Sequence, residues 1–461
     1  MKSILANMGF ILQMAGMFII IPIIASFVYS ETSSTIGLFI TATAFFVLGF
    51  MLNSLCERKD LGYRQSNALV ILSFIFLSVI GAIPYMYVNV FGPDPYASGM
   101  NSFFESVSGF TTTGFSVIPD LSALPESILL YRALTQFIGG IGIVLLLLAF
   151  LYPEEKLISF SRTMGFSENH KIKRTFLIII FVYLAYISAM AASTFFLGYT
   201  DLLSTISFVF ATISTGGFSP VADITSIVSS TPFGYILMFG MVLGALNFVA
   251  LAGLFRLRIK AFIFSEIPVF IGLMAVSVAA VWHYFGLSMF DAAFHTISVM
   301  TTTGFGYLPV SGFTQNLKLL FTALMLIGGT SLSTAGGIKI YRLLLFFKAS
   351  WKFASDALTK KARQLKLFGR EYSDSEIVQN LLVIALFVGI AALSGVVVSS
   401  NGYPFADSLF ESASALSNTG LSAGIATAGM PFNLEALFII LMLLGRVEII
   451  AVFIIFSRSS K

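Results

Sequence analysis

Four short segments of the chain place hydroxyl or amide side chains just before a glycine. In each of them the glycine is followed by phenylalanine or leucine, and long apolar stretches lie on both sides. A polar, glycine-bearing backbone inside a membrane is typical of a cation filter, because stacked carbonyl oxygens can replace the water shell of an ion. Glycine suits this task since it has no side chain and adopts positive φ freely. The candidate ion ligands are therefore Thr112, Thr113, Gly114, Thr215, Gly216, Gly217, Thr302, Thr303, Gly304, Asn418, Thr419 and Gly420.

A common register extends upstream of the four filters. The residues thirteen positions before the filter glycines are Asn101, Ser204, Asp291 and Asp407, all of them types that favour a helix N-cap. A helix from there to the filter would cross only about half of the roughly 30 Å hydrocarbon core. We therefore predict four re-entrant pore helices whose C-terminal carbonyls point toward the ion path. The alternative, small residues that merely ease helix packing, does not explain four shared registers.

The composition indicates that these elements lie in a membrane and not in water. Hydrophobic residues make up 57% of the chain, charged residues 10%, and the mean hydropathy is +0.93, which excludes a soluble globular protein. The first apolar run lacks the cleavage pattern of a secretory signal and is expected to remain a helix. Cutting the apolar runs to about 20 to 25 residues predicts ten spans, near residues 5–29, 33–55, 67–90, 126–151, 174–198, 233–255, 267–287, 316–347, 377–400 and 433–457.

The fold class that follows is an all-α polytopic membrane protein. Two leading spans precede four pseudo-symmetric repeats around one pore, and each repeat consists of a span, a pore helix, a filter and a second span. About ten transmembrane helices and four re-entrant loops result. The predicted boundaries are 1–64 for the leading spans, 65–155 for repeat 1, 156–260 for repeat 2, 261–372 for repeat 3 with a broken second span and a cytoplasmic connection, and 373–461 for repeat 4.

The basic residues predict the orientation. Of the 26 lysines and arginines, all but three fall in alternate connections or at the termini, which the positive-inside rule places in the cytoplasm. Both termini are therefore expected inside. The opposite face, which carries the four filters, is rich in Asp and Glu and should attract cations. Basic residues that satisfy topology give no reason to expect nucleic-acid binding. The polar stretch 349–374 is expected to bind anionic lipid or an acidic partner.

A glycine- and hydroxyl-rich break interrupts the predicted span 316–347. It comprises Gly328, Gly329, Thr330, Ser331, Ser333, Thr334, Gly336 and Gly337. The break does not match the Gly-x4-Gly-Lys-Ser/Thr pattern of a phosphate loop. A break of this length cannot face lipid, because its backbone groups need protein or water partners. We expect it to line the cavity below the filter as a gate; a passive kink between packed helices is the alternative.

Three charged residues lie in or near the membrane part of the predicted pore. Arg446 falls in the middle of the last span, where a guanidinium costs at least about 2.5 to 3.5 kcal/mol and turns toward protein or water. It could form an electrostatic barrier at the inner end of the cation path, or tie the last span to carbonyl oxygens of the break. Glu105 and Glu411, each nine residues before a filter glycine, are expected to brace the backbone amides of the filter.

The sequence gives no indication of an arrangement of residues typical of a catalytic site. The three histidines, His170, His283 and His295, have no metal-ligand spacing with one another or with Cys56, and no Ser/His/Asp arrangement is indicated. A single cysteine forms no internal disulfide. We therefore predict a protein that is not an enzyme.

The motifs together resemble those of potassium transporters of the TrkH/KtrB family, along essentially the whole chain. The similarity rests on the four filter glycines, on Gly-Gly-Ile-Lys at 336–339 and on Gly-Arg-Val-Glu at 445–448, and the two leading spans favour the TrkH branch. It implies K⁺ uptake across a bacterial or archaeal plasma membrane, with K⁺ as the transported ion and no bound cofactor. It also implies a homodimer with one pore per subunit, a TrkA-like cytosolic ring protein that binds the regulatory nucleotide, and a gate at Arg446 and residues 328–337.

The sequence leaves several alternatives open. In members of the family with serine at the first filter glycine, sodium competes better, but Gly114 is glycine here. A less selective Na⁺/K⁺ pathway, a symporter coupled to H⁺ or Na⁺, and a non-conducting membrane scaffold or sensor all fit the same spans. Gly216 and Asn418 replace threonine at their positions, so the ring is only pseudo-symmetric and its rungs can differ in ion affinity.

Overall fold

The computed structural model describes most of the chain as helix. The described residues are 2–55, 61–142, 172–197, 201–229, 231–248, 251, 262–263, 265–359, 364–368, 370–447 and 449. The α-helices of this part of the chain are α1 (Lys2–Val28), α2 (Thr32–Leu55), α3 (Tyr63–Gly81), α4 (Ile83–Tyr87), α5 (Pro95–Phe110), α6 (Glu126–Phe137), α7 (Ile172–Phe196), α8 (Leu202–Ile213), α9 (Thr225–Val228), α10 (Pro232–Ala245), α11 (Ile267–Phe285), α12 (Met289–Met300), α13 (Gln315–Ile327), α14 (Ile340–Thr359), α15 (Asp374–Ser399), α16 (Phe405–Leu416) and α17 (Phe432–Val447).

The described helices confirm a polytopic membrane protein. Five continuous helical stretches are long and apolar enough to cross a membrane. Four shorter helices are also apolar. A π-helical turn, Ile138–Gly142, continues α6. The inner ends of the predicted spans 126–151, 233–255 and 433–457 lie outside the described residues, as do Cys56, His170, Glu448 and the basic connections at 156–171 and 256–260.

Four helices of 12 to 16 residues each end directly at a predicted filter: α5, α8, α12 and α16. The predicted starts were wrong, because the N-caps are Asp94, Asp201, Ser288 and Pro404. The Asp201 carboxylate accepts from the amides of Leu203 and Ser204, at 3.2 and 3.3 Å, so the helix begins three residues before the predicted cap. The residues thirteen positions before the filter glycines therefore lie within the helices.

The span predicted at 316–347 is two helices, α13 and α14, separated by the glycine-rich break. α13 stops at Gly328, whose φ is +70°. The chain then returns to the end of α13, where the amides of Ile338 and Lys339 donate to Leu326 and Ile327 at 2.8 and 2.9 Å. These bonds satisfy carbonyls that a helix end leaves without partners. The break is therefore a closed loop with a narrow neck, which we call the 328–337 loop.

The two leading helices pack against each other and attach to the first repeat through a carboxylate. α1 and α2 cross closely at Gly9 and Gly49, where an added Cβ on Gly49 would meet the carbonyl oxygen of Gly9 at 2.7 Å. Glu31, in the connection between them, accepts from the backbone amides of Glu126 and Ser127 at 2.6 and 3.1 Å. A carboxylate at the start of a helix also interacts favourably with the helix dipole. Glu31 therefore anchors the leading pair to α6.

The polar stretch 349–374 contains one small sheet. Strands β1 (Leu365–Leu367) and β2 (Arg370–Tyr372) form an antiparallel hairpin after α14. Its buried side chains pack with the middle of α14, at Leu345 and Ala349, and with Ile377. Among the residues that the structure describes, this hairpin is the one sheet, and the predicted helical class is confirmed.

The anchoring contact predicts a loss of stability in Glu31→Ala. Removing the carboxylate leaves two amides at the start of α6 without an acceptor, so the free energy of unfolding should fall by about 1–3 kcal/mol. Thermal unfolding of the purified protein in detergent measures the change. Glu371→Ala is the matched control, because Glu371 is half-exposed and pairs with Lys366 on the surface, where an ion pair contributes about 0–1 kcal/mol. Equal melting temperatures for the two variants would contradict the assignment.

Candidate functional site

The four short helices end in the same hydrogen-bonded motif. The cap residues Thr111, Ser214, Thr301 and Ser417 all have φ near −80° and ψ near 0°. The amide two residues later donates to the carbonyl five residues before it, at 2.8 to 2.9 Å in all four cases. This is the Schellman pattern, which requires a left-handed residue after the cap. It turns the chain sharply from each helix into the filter segment.

The left-handed position is filled by Thr112, Thr215, Thr302 and Asn418, with φ between +50° and +56°. A β-branched residue with positive φ is a genuine outlier. The filter glycines two positions later have φ between +76° and +89°. Residues with a left-handed backbone thus alternate with others along each filter. A strained backbone of this kind persists only where the surrounding structure holds it in place.

The filter glycines close the four segments into a ring. A Cβ added to Gly114 would overlap the carbonyl oxygen of Gly216, and one added to Gly217 would overlap that of Thr303. In the same way Gly304 abuts the carbonyl oxygen of Thr419, and Gly420 abuts that of Thr113. Each glycine therefore touches the next filter in chain order, and the fourth touches the first. The four filter segments are thereby brought together around one ring.

Exposure singles out the same four glycines. They are partly exposed, whereas the three residues before each of them are buried. The residue after each glycine is a buried anchor: Phe115, Phe218, Phe305 or Leu421. The ring is therefore open along its glycines and closed behind them.

Both predicted bracing carboxylates lie behind the filters. Glu411 accepts from the amides of Ala423 and Ala426, at 2.7 and 2.8 Å. Glu105 accepts from the amide of Val117 at 3.0 Å. Neither side chain is exposed, so each acts on the backbone that follows its filter.

Sequence reasoning missed the partner of Glu105. Arg132 of α6 donates to one Glu105 oxygen through Nε and Nη2, at 3.0 and 2.8 Å. Its Nη1 donates to the carbonyl oxygen of Ser219 at 3.0 Å, and its guanidinium lies 4.1 Å from the centre of the Phe218 ring. Arg132 thus links the first filter to the second. An arginine inside a predicted span is a signal that could have identified it.

The other two repeats use different side chains for the same task. His295, nine residues before Gly304, accepts from the amide of Leu308 at 3.3 Å through Nε2, while its Nδ1 lies 2.9 Å from the carbonyl oxygen of Asp291. In the second filter the amide of Phe218 donates to Gln136 of α6 at 3.1 Å. His295 and Gln136 are polar residues buried beside a membrane pore, and their positions in the sequence carried no metal-ligand or catalytic signal.

The 328–337 loop lies directly beneath the ring. The amide of Gly336 donates to the Thr302 hydroxyl at 2.7 Å. The Thr334 hydroxyl lies within hydrogen-bond distance of the carbonyl oxygens of Ile213, at 3.0 Å, and Gly244, at 2.9 Å. Thr330 bonds to Ala245 at 2.8 Å. The loop therefore contacts the ends of two pore helices and the second span of repeat 2.

The rest of the predicted gate divides into two groups. Gly328 and Gly337 form the neck of the loop, where they pack so closely that neither could carry a side chain. The amide of Ser331 donates to Glu266 at 2.6 Å, and Ser333 bonds within the loop to the Thr330 carbonyl at 2.6 Å. Gly329 packs against the side chain of Ala335. These residues shape the loop and do not reach the ring.

Arg446 joins three elements below the ring. Its Nη1 donates to the carbonyl oxygen of Thr334 at 2.9 Å, and its Nη2 lies 2.7 and 3.2 Å from those of Gly139 and Gly140. The guanidinium therefore connects α17 to the 328–337 loop and to the π-helical turn of repeat 1. Both predicted roles, barrier and structural tie, fit this position.

The connections that follow the first and second filters carry ionised carboxylates. The hydroxyl and amide of Ser122 donate to Asp120, which lowers the pKa of that carboxyl below its usual value. A hydrogen bond from Thr225 lowers the pKa of Asp223 in the same way. Both groups are negative at neutral pH, and negative charge near a pore mouth raises the local cation concentration.

Comparisons with known proteins find similarity to cation transporters. The family model for TrkH, described as a cation transport protein, matches residues 257–461. An uncharacterized cation transporter of Methanocaldococcus jannaschii is 28% identical, and the alignment covers 99% of this chain and 95% of that protein. The Trk system potassium uptake protein TrkH of Escherichia coli is 27% identical over 87% of this chain and 86% of its own. The TrkH protein of Halomonas elongata is 26% identical over 99% and 98%.

A solved structure agrees over nearly the full length. The crystal structure of the potassium transporter TrkH from Vibrio parahaemolyticus superposes with a TM-score of 0.84 and covers 99% of this chain and 98% of that one, at 24% identity. The two proteins therefore share a fold over nearly their whole lengths. The chain is thus similar to TrkH potassium uptake proteins along nearly its whole length.

The ring contacts predict that Gly114→Ser weakens discrimination between K⁺ and Na⁺ by about tenfold. The new side chain would meet the Gly216 backbone and force one filter to shift, at a strain of about 1–3 kcal/mol. Because the obstacle is backbone, part of that strain should also lower stability. Competing Rb⁺ and Na⁺ uptake into proteoliposomes measures the discrimination.

Gly92→Ser is the matched control for this change. Gly92 has nearly the same φ, +85° against +89° for Gly114, but nothing within 4 Å of an added Cβ. Its substitution should leave the uptake ratio unchanged. Equal ratios in both variants and in the unmodified protein would refute the assignment of Gly114 to a filter.

Proposed function

We propose that this protein takes up K⁺ across the plasma membrane through a pore in each subunit. The closed ring formed by the four filters carries the proposal, since a ring of carbonyl oxygens is the ligand set that replaces the hydration shell of K⁺. Relatives across nearly the whole chain are named potassium uptake proteins. The twelve predicted ligands, from Thr112 to Gly420, are proposed to hold the ion in transit.

The ring also favours conduction over the non-conducting alternative. A scaffold or sensor would gain nothing from three threonines held at positive φ, which cost of order 1–3 kcal/mol each. A less selective Na⁺/K⁺ pathway and a symporter coupled to H⁺ or Na⁺ remain the competing transport modes. We propose a K⁺-selective pore with all four filter glycines as its basis.

The gate is proposed at the 328–337 loop and Arg446. A fixed positive charge within about 8 Å of the ion path, at an effective dielectric constant of about 20, contributes roughly 2 kcal/mol to the barrier. The loop contacts the filter through Thr302, so any movement of the loop changes the support of the ring. The boundaries 1–64, 65–155, 156–260, 261–372 and 373–461 are proposed as the two leading helices and the four repeats.

Regulation is proposed to enter from the cytoplasm, where both termini would lie. The proposed assembly is a homodimer with a TrkA-like ring protein that binds the nucleotide, on a surface that includes the α14 connection. Lys352 is a poor candidate for that surface, because it pairs with Asp374 at 3.0 Å and its side chain is only 14% exposed. Lys360, Lys361 and Arg363 lie outside the described residues. Membrane lipid is expected around the exposed apolar side chains.

The transport proposal predicts K⁺ uptake by the purified protein in proteoliposomes. An inward gradient should be imposed for one ion at a time, using K⁺, Rb⁺, Na⁺ and H⁺. Uptake of K⁺ and Rb⁺ without a H⁺ or Na⁺ gradient is the expected result for a pore. Uptake that requires a H⁺ or Na⁺ gradient would indicate a symporter, and no cation flux from well-folded protein would contradict the proposed function.

Substitutions of Arg446 separate a barrier from a structural tie. A barrier of roughly 2 kcal/mol corresponds to a rate factor of up to about thirty, so Arg446→Gln should raise K⁺ uptake by up to that factor. Arg446→Lys is the matched control, because it keeps the charge and should leave uptake close to the original rate. Reduced uptake in both variants, with lower melting temperatures, would assign Arg446 to the structural tie instead.

A further inference from the structure

One position recurs in the second span of every repeat, three residues before a glycine. In three repeats a methionine occupies it, and in the first repeat a glutamine does; all four side chains are fully buried. The glycines of the first, second and fourth spans pack against the last carbonyl of a pore helix, so the spans share one register. The position is filled by Gln136, Met241, Met325 and Met442.

Gln136 reaches from repeat 1 into the second filter. Its Nε2 donates to the carbonyl oxygen of Gly216 at 2.6 Å, and its Oε1 accepts from the amide of Phe218 at 3.1 Å. A Cβ added to Gly216 would overlap the Gln136 side chain. The glutamine therefore fills the volume that a side chain at position 216 would need.

The other three filters have threonine where the second has Gly216, namely Thr113, Thr303 and Thr419. Asn418 donates both to the Thr113 hydroxyl, at 2.9 Å, and to the carbonyl oxygen of Met442, at 2.8 Å. These bonds place Met442 beside the first filter, as Gln136 lies beside the second. By register, three sides of the ring pair methionine with threonine, and one pairs glutamine with glycine.

The Gly216 carbonyl is also one of the four that form the ring, because it abuts Gly114 of the first filter. Among the residues that the structure describes, no side chain donates to the equivalent carbonyl oxygens of Thr113, Thr303 or Thr419. The Gly216 oxygen thus shares its lone pairs with an amide donor, whereas its three counterparts do not. The carbonyl oxygen on this side of the ring therefore differs from its three counterparts in the electron density that it can offer to an ion and in how firmly its position is held.

We infer that Gln136 is a specificity-determining residue that sets the ligand strength and direction of the Gly216 carbonyl. This inference rests on the proposed function, since it takes the ring carbonyls as ligands of the transported ion. A weaker carbonyl field favours the larger K⁺ over Na⁺, and a fixed carbonyl keeps the ring at the size of K⁺. Selectivity of this kind is attributed either to the field strength of the carbonyl oxygens or to the size of the cavity. In both accounts the hydrogen bond from Gln136 favours K⁺ over Na⁺.

The test compares K⁺ and Na⁺ uptake in Gln136→Met, which keeps the volume and removes both hydrogen bonds. The uptake ratio of K⁺ to Na⁺ should fall by about three- to tenfold, the range expected for the loss of one neutral hydrogen bond. Gln136→Glu is the second variant, because it keeps the acceptor for Phe218 and loses the donor to Gly216. It should lower the ratio at least as much, and it serves if Gln136→Met does not fold.

A double variant tests the pairing directly. Gly216→Thr alone would collide with Gln136 and should lose transport. Combined with Gln136→Met, it recreates the methionine and threonine pair of the other three sides and should restore transport. The uptake ratio should stay as low as in Gln136→Met, because no side chain then donates to the carbonyl oxygen of residue 216. A return to the original ratio would show that packing sets the ratio and would overturn the inference. Gln379→Met on the exposed face of α15 is the control and should change nothing.

Three outcomes distinguish this inference from others. If Gln136→Met is folded and transports with an unchanged ratio, the inference is overturned. If it lowers K⁺ and Na⁺ uptake alike together with the melting temperature, Gln136 is only structural and the inference is again overturned. If the unmodified protein takes up no K⁺, the proposed function itself fails, whatever the variants do.

Discussion

The structure depends on one constraint, which is that four polar backbone segments meet in one ring inside a membrane. Lipid offers no hydrogen bonds, so the polar backbone groups around the ring need protein partners. The Schellman ends of the four pore helices meet part of that requirement, and they do so by holding Thr112 and its counterparts at positive φ. The remaining strain is contained by close packing, because each filter glycine fits against the next filter.

The groups behind the filters show how one chain solves this problem four times in different ways. Glu411 alone serves the fourth filter, whereas Glu105 shares its charge with Arg132, which also reaches the second filter. A buried carboxylate without such a partner is costly, and a buried ion pair is specific in geometry. The third filter uses the neutral ring of His295. A ring built from four identical chains would repeat one solution, while a single chain can vary each side.

The 328–337 loop is held mainly by hydrogen bonds to the helices around it. Its neck closes on the end of α13, and Thr330 and Thr334 bond to the end of α10. Only single hydrogen bonds, in contrast, join the described loop to Ile213, to Thr302 of the third filter and to Arg446. A net hydrogen bond contributes only about 0.5–1.5 kcal/mol. A partner whose binding energy differs between two loop positions by a few kcal/mol could therefore shift the loop.

The sequence by itself determined the membrane class, the four filters, the short helices before them and the break in the third repeat, because these are local or periodic properties of the chain. It also indicated the bracing role of Glu105 and Glu411, since both share a register with a filter glycine. It misplaced the starts of the pore helices, where Asp201 and Ser288 compete with residues three positions later as caps. Only the tertiary structure decided which distant residues meet: Arg132 with Glu105, Gln136 with Gly216, and Arg446 with Thr334 and Gly139. Such pairings depend on how the repeats pack around the ring, and nothing in the local pattern of either partner specifies the other.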